Sequence, residues 1–150
     1  MENEKKKRIR LEEIYPVISE KLGEGGTVEI PITGVSMLPL LVQGRDTVTI
    51  EKGEYKKGDI IFYRRDDGHF VLHRIIGENA EGFILCGDNQ WVKEYGITER
   101  HIIGRVIQIE RKGKAFPVTD KKYRFYCSVW QLLLPLRRYI MYIYRHLKHS

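Results

Sequence analysis

Hydrophobic residues near the start of the chain recur at helical spacing, every three or four positions. They are Leu11, Ile14, Ile18 and Leu22. This periodicity predicts an amphipathic helix over residues 9–22, within an N-terminal segment of residues 1–26. Proline lacks the amide hydrogen that a helix interior uses, so we expect a kink or a late start at Pro16.

The pattern then changes to short apolar or β-branched runs separated by glycine-containing turns, and it predicts a β domain over residues 27–112. The runs are Thr27–Ile32, Thr47–Glu51, Asp59–Arg64, Phe70–Ile76, Gly82–Cys86 and His101–Ile109. Asp66-Asp67-Gly68 lies between two of them and indicates a hairpin. No crossover-length helix separates the runs, so we predict antiparallel or mixed β-structure. The fold class is mainly β, with a short N-terminal helix and a helical C-terminal tail.

Residues 113–150 form that tail, in which Pro135 divides one helix, Tyr123–Leu134, from a second that begins near Leu136. Its many aromatic residues stand beside Lys and Arg, with no acidic residue from 121 to 150. This composition is typical of a helix that lies at a membrane surface. Two alternatives remain: the tail covers one face of the sheet, or it fills a groove of a partner protein.

Charge is distributed unevenly along the 150 residues, whose formal net charge is +6. Residues 1–10 carry +3, residues 121–150 carry +7, and the segment between them carries −4. A nucleic-acid-binding core is normally basic itself, so we predict no nucleic-acid partner. The longest uncharged stretch of the tail, Phe125–Leu136, is too short to span a bilayer. We find no secretory signal pattern either, so we predict a cytoplasmic protein whose membrane contact, if any, is peripheral.

The two cysteines, Cys86 and Cys127, are too few for a disulfide framework and are interpreted as free thiols. The five histidines are scattered and no CxxC pair occurs. We therefore predict no metal site and no cofactor.

Three polar residues occupy positions where a β protein could carry chemistry. Ser36 follows the first strand-like run, His73 interrupts an apolar one, and Asp88 directly follows another. Each has an ordinary interpretation by itself, as a turn former or as a satisfied strand residue. Together they offer a nucleophile, a base and an orienting carboxylate.

Four sequence blocks carry a resemblance to a known superfamily. They are Gly34-Val35-Ser36-Met37-Leu38-Pro39, Lys57-Gly58-Asp59-Ile60-Ile61, Leu72-His73-Arg74-Ile75-Ile76 and Gly87-Asp88-Asn89. In this order and spacing the chain resembles the signal-peptidase superfamily of serine peptidases over about residues 28–109. Bacterial leader peptidases and repressor peptidases have a lysine where this chain has His73. The histidine is similar to the endoplasmic-reticulum, archaeal and sporulation branch.

The resemblance implies coiled antiparallel sheets and cleavage of a leader or signal-type peptide after small residues. Ser36 would be the nucleophile, His73 the general base and Asp88 the carboxylate that orients the imidazole. The backbone amide of Ser36 would help to bind the oxyanion. The neighbours of Ser36 that would contact the substrate are Gly34, Val35 and Met37.

This chain departs from the superfamily pattern at two positions. Many relatives have a serine where it has Gly34, and the His branch often has a second aspartate after Gly-Asp-Asn, where the nearest carboxylate here is Glu94. Gly34, together with the lack of the N-terminal transmembrane anchor of membrane signal peptidases, favours an alternative function, a non-catalytic peptide-binding or maturation accessory protein with the same fold. The intact set of Ser36, His73 and Asp88 argues against it. We do not expect a repressor peptidase, since only 35 residues precede Ser36, too few for a helix-turn-helix domain, and the lysine of that class is replaced by His73.

Overall fold

Eight strands and three α-helices make up residues 10–149, the part of the chain that this computed structural model describes. The N-terminal elements are α1 (Leu11–Gly23), β1 (Val28–Pro31), β2 (Thr47–Glu51) and β3 (Ile60–Arg64). The central elements are β4 (Phe70–Asn79), β5 (Gly82–Cys86), β6 (Glu94–Ile97), β7 (Ile102–Arg111) and β8 (Lys114–Pro117). The C-terminal elements are α2 (Lys121–Leu132), a 3-10 turn (Leu134–Leu136) and α3 (Arg137–Lys148).

The strands form one sheet in the order β1-β2-β7-β3-β4-β5-β6, with β8 paired to β7. Every strand pair is antiparallel, which confirms the mainly β, antiparallel prediction. The β3–β4 hairpin turns at Asp66-Asp67-Gly68 as predicted, and it is closed by the amide of Arg65 donating to His69 O at 2.8 Å.

Side chains of β3 alternate between two apolar clusters, one on each face of the sheet. Ile60 and Phe62 belong to the larger cluster, which α1 and α2 cover with Leu22 and Tyr123. Members of the smaller cluster are Ile61, Tyr63, Ile75, Phe83, Leu85, Ile97 and Ile102. On β4 the alternation puts His73 and Arg74 on opposite faces, as the sequence predicts.

The helix α1 begins at Leu11 and continues through Pro16, so of the two outcomes expected at this proline, a kink or a late start, the late start is wrong. Positions 1–9 of the predicted N-terminal segment lie outside the described residues. Ile18 and Leu22 face the sheet and are buried, whereas Val17 points to solvent.

The sheet continues beyond the predicted boundary at residue 112. Lys112 and Gly113 both have positive φ, 53° and 78°, and form the two-residue turn of a hairpin that pairs Arg111 with Lys114. Lysine is an uncommon residue in this conformation, so the turn has no clear sequence signal. Strand β6 also escaped prediction, because Glu94-Tyr95-Gly96-Ile97 has no clear apolar alternation.

The tail is two short helices, as predicted, and α2 packs onto the sheet. Asp120 caps α2 by accepting the Tyr123 amide at 3.0 Å, and Tyr123 is buried against Phe116. Pro135 lies in the 3-10 turn that separates α2 from α3. Within residues 10–149, no helix is both long and apolar enough to cross a bilayer.

Candidate active site

The loop that carries Ser36 follows β1 and is tied to the Gly87-Asp88-Asn89 turn. The amide of Asn89 donates to Ser36 O at 2.9 Å, and its side-chain Nδ2 donates to Val35 O at 3.0 Å. Gly34 adopts a φ of 78°, which suits glycine, and its amide donates to Gln43 Oε1 at 2.9 Å. Two of the four blocks that suggested the resemblance are therefore adjacent in space.

His73 is buried on the face of the smaller cluster, where its ring meets Tyr63. The Tyr63 hydroxyl donates to Glu94 Oε2 at 2.6 Å and lies 3.3 Å from His73 Nδ1. Because the hydroxyl hydrogen points to the carboxylate, the hydroxyl oxygen is left to accept a hydrogen from Nδ1. A neutral imidazole protonated at Nδ1 has its free electron pair on Nε2.

The other ring nitrogen of His73 approaches the Ser36 loop. A methyl group built on Gly87 would lie 3.1 Å from His73 Nε2 and 2.6 Å from Ser36 O. Gly87 thus sits between the imidazole and the serine backbone, and only glycine leaves the space that both atoms need.

Burial lowers the pKa of His73 to about 4, against the attraction of the Glu94 carboxylate, which raises it. The imidazole is therefore neutral at physiological pH and can accept a proton. This is the protonation state that a general base requires.

The contacts that run from His73 through Tyr63 end at Glu94. Arg65 binds it in a bidentate pair, with Nε to Oε1 at 2.8 Å and an amino nitrogen to Oε2 at 2.9 Å. Burial alone would raise the pKa of Glu94, but hydrogen bonds from Arg65 and Tyr63 outweigh it and hold the pKa below its usual range. The carboxylate is ionised, and its charge acts on His73 through Tyr63.

Asp88 makes its hydrogen bonds to residues other than His73, contrary to the sequence-based expectation. Its carboxylate accepts two hydrogen bonds from Arg74, each of 2.9 Å, and a third from the Tyr126 hydroxyl at 3.1 Å. No hydrogen bond joins it to His73 anywhere in residues 10–149. The reason is strand alternation: Asp88 pairs with Arg74, which points to the face opposite His73. Asp88 is therefore tied by hydrogen bonds to Arg74 and Tyr126, and it acts on the imidazole only through its charge, which raises the pKa of His73.

Two side chains of the tail donate hydrogen bonds to backbone carbonyls of this turn and of Gln90, which follows it. Trp130 Nε1 donates to Asp88 O at 2.7 Å, and the buried guanidinium of Arg137 donates to Gly87 O and Gln90 O, each at 3.3 Å. Arg137 also lies over the Trp130 ring, 4.9 Å from its centroid. Packing of the tail on the β domain, one of the three alternatives that the sequence left open, is thus observed for its inner face.

Ser36 and His73 line one open groove of about 730 Å³. The other residues along it are Gly34, Val35, Arg65, Asn89, Gln90, Trp91, Val92, Lys93, Glu94 and Arg145. Two of the three predicted substrate contacts, Gly34 and Val35, are thus in the groove. The third, Met37, is buried instead, with its sulfur 3.5 Å from the Asp88 amide that donates to it. The buried Met37 side chain therefore contacts the Gly87-Asp88-Asn89 turn.

The Ser36 side chain is partly exposed, and its hydroxyl makes no hydrogen bond within the described residues. A second pocket of about 420 Å³ also reaches Ser36. It is mostly apolar, lined by residues such as Ile32, Val71 and Leu72. Ser36 therefore lies where the groove meets an apolar pocket.

Sequence reasoning missed the contacts of Tyr63 and Arg65, and it named Glu94 only as the nearest second carboxylate. Antiparallel register pairs Ile61 with His73 and puts Tyr63 on the same face, but that register is not visible in the sequence. In residues 10–149, no three side chains of His, Cys, Asp or Glu cluster as a metal site would require. Both cysteines are free, as predicted.

We compared the chain with protein-family models, with curated proteins and with solved structures, and none of them matches. The resemblance to the signal-peptidase superfamily therefore stays a prediction that rests on the four sequence blocks.

Proposed function

We propose that this protein is a serine endopeptidase of the signal-peptidase type, with Ser36 as nucleophile and His73 as general base. One observation carries the proposal: Ser36 and a neutral, buried imidazole line the same groove. A nucleophile is activated by a base whose orientation a third group fixes. Here Tyr63, itself bound to Glu94, takes the place that the sequence suggested for Asp88.

In the proposed mechanism, His73 Nε2 accepts the hydroxyl proton of Ser36 as Oγ attacks the peptide carbonyl carbon. The imidazolium then returns the proton to the leaving amine, and an acyl-enzyme remains. Water, deprotonated by the same imidazole, hydrolyses this ester. The ionised Glu94 stabilises the transient positive charge on His73 through the Tyr63 hydroxyl. The Ser36 amide, which donates to no acceptor within residues 10–149, is available to the oxyanion.

The substrate in this proposal is an extended peptide with one side chain in the apolar pocket beside Ser36. A preference for small residues comes from the resemblance alone. Lys93 and Arg145 line the groove and form no ion pair within the described residues. Acidic side chains next to the scissile bond would therefore bind favourably.

The test is cleavage of a mixed peptide library followed by mass spectrometry, with a serine-directed covalent probe run in parallel. We expect cleavage and labelling by the wild-type protein and neither by Ser36→Ala. Ser128→Ala is the matched control, because this exposed serine bonds only to Arg124 O within its own helix. Cleavage by Ser36→Ala at the wild-type rate would contradict the proposal.

A peptide-binding protein without catalysis is the second candidate. It is favoured by the lack of a hydrogen bond between the Ser36 hydroxyl and His73 in residues 10–149. Such contacts are often long in unliganded enzymes and tighten with substrate, so we rank it second. In this case, wild-type and Ser36→Ala proteins would bind the same peptides with equal affinity, and neither would cleave them.

A further inference from the structure

The outer surface of the tail carries an apolar stripe that no part of the described chain covers. Its members recur every three or four residues and are between 40% and 80% exposed. We call it the outer stripe: Phe125, Val129, Leu132, Leu136, Tyr139, Ile143 and Leu147. The outer face of a surface helix is normally polar, so such a stripe indicates a docking surface.

The outer stripe is distinct from the face with which the tail packs on the sheet. That inner face is buried and includes Tyr123, Arg137 and Met141. Packing on the sheet and docking on another surface, which the sequence offered as alternatives, therefore use different faces of the tail. The inner face packs on the sheet, and the outer face is exposed.

Positive charge accompanies the outer stripe. Six exposed basic residues lie in α2 and α3: Lys121, Lys122, Arg124, Arg138, Arg145 and Lys148. No aspartate or glutamate occurs from residue 121 to 150. We propose that α2 and α3 dock the protein on an anionic lipid bilayer, with the outer stripe in the interface and the cations at the headgroups, except Arg145, which lines the groove.

The charge also argues against a second copy of this chain as the occupant. Two tails in contact would bring twelve like charges together without a carboxylate from either. An anionic bilayer can bury the apolar outer stripe and attract the positive charge of the tail. Tyrosines such as Tyr139 also suit its headgroup region.

The proposed docking leaves the groove accessible. Arg145 lines the groove and is two residues from both Ile143 and Leu147, so it lies about 160° around α3 from the outer stripe. The helix α3 would then separate the bilayer from the groove. This inference does not rest on the proposed peptidase function, because lipid binding needs neither Ser36 nor His73.

The test is sedimentation of the full chain with vesicles of phosphatidylcholine containing 30–40% phosphatidylglycerol (about one lipid in three), measured beside pure phosphatidylcholine. The double variant Ile143→Ser/Leu147→Ser should lower the partition coefficient at least tenfold, since each change removes an exposed aliphatic side chain. Val17→Ser is the matched control, because Val17 is 66% exposed on α1. It should bind like the wild type.

Charge is tested separately with Arg138→Gln/Lys148→Gln, for which we expect a drop of about 25-fold, or about fivefold per charge. Lys52→Gln, an exposed lysine outside the tail, is its control. High salt should weaken wild-type binding. The proposal is overturned if the wild type stays unbound at low salt, or if the serine variants bind as well as the wild type. It is also overturned if the stripe instead drives a dimer that the serine variants abolish.

Discussion

Replacing Asp88 with asparagine tests whether this residue holds the fold or acts on the imidazole. Asp88 and Arg74 are both 0% exposed and are joined by two hydrogen bonds of 2.9 Å. The substitution keeps the side-chain shape but leaves the Arg74 charge buried without its counter-ion. Breaking a buried pair in this way costs about 3–5 kcal/mol of unfolding free energy. For a chain of this size, that corresponds to a fall of about 6–20 °C in Tm.

The assay is urea denaturation at pH 7, followed by circular dichroism, with cleavage measured at a temperature where the variant is folded. Asp67→Asn is the matched control, because Asp67 is 59% exposed and pairs only at the surface. It should change stability by less than about 0.5 kcal/mol. The double variant Arg74→Met/Asp88→Asn should recover part of the loss, because no unpaired buried charge remains. Unchanged stability in Asp88→Asn, together with lost cleavage, would refute this reasoning and return Asp88 to the catalytic group.

Four further predictions concern the groove. Tyr63→Phe should lower kcat by about 10- to 100-fold with little change in KM, since it removes the hydrogen-bond partner of His73 Nδ1, and unchanged kcat would count against the Tyr63–Glu94 arrangement. Because the pKa of His73 is lowered to about 4, cleavage should persist below pH 6 and fall near pH 4. A pH–activity profile with its midpoint near 6.5 would contradict the burial argument. Glu94→Gln should move that midpoint lower still, because the Glu94 charge raises the pKa of His73. Unfolding free energy should also fall as the pH drops from 6.5 to 4, because there the unfolded chain binds the proton that native His73 excludes. Gly87→Ala should abolish cleavage, since its methyl group would meet Ser36 O at 2.6 Å; a crystal structure or an activity assay would check this, and full activity would show that the loop moves aside.

Periodicity in the sequence was sufficient to predict most of the fold. The alternation in β4 correctly put His73 and Arg74 on opposite faces, and the strands Thr47–Glu51 and Gly82–Cys86 have the predicted bounds. These signals are local, because burial on one face of a strand repeats every two residues. The missed strand β8 depends on a positive φ at Lys112, for which sequence gives no reliable warning.

The candidate site was only partly predictable, for a physical reason. Ser36 and His73 were identified by the blocks around them, but the partner of His73 depends on which strands are neighbours and in which register. The resemblance assigned the carboxylate to Asp88 of the Gly87-Asp88-Asn89 block, whereas in the sheet Glu94 is the carboxylate linked to the imidazole, through Tyr63. A carboxylate buried beside arginine looks the same in sequence whether it stabilises a turn or orients a base.

The contacts between the tail and the Gly87–Gln90 turn have a consequence for synthesis of the protein. Ser36, His73 and the turn itself leave the ribosome well before Tyr126, Trp130 and Arg137. Four hydrogen bonds from these three tail residues reach the turn only afterwards. A nascent chain therefore carries the serine and the histidine while the turn that joins them still lacks its outer support. The Gly87–Gln90 turn therefore gains its full set of hydrogen bonds only in the completed chain, once the tail has folded back onto it.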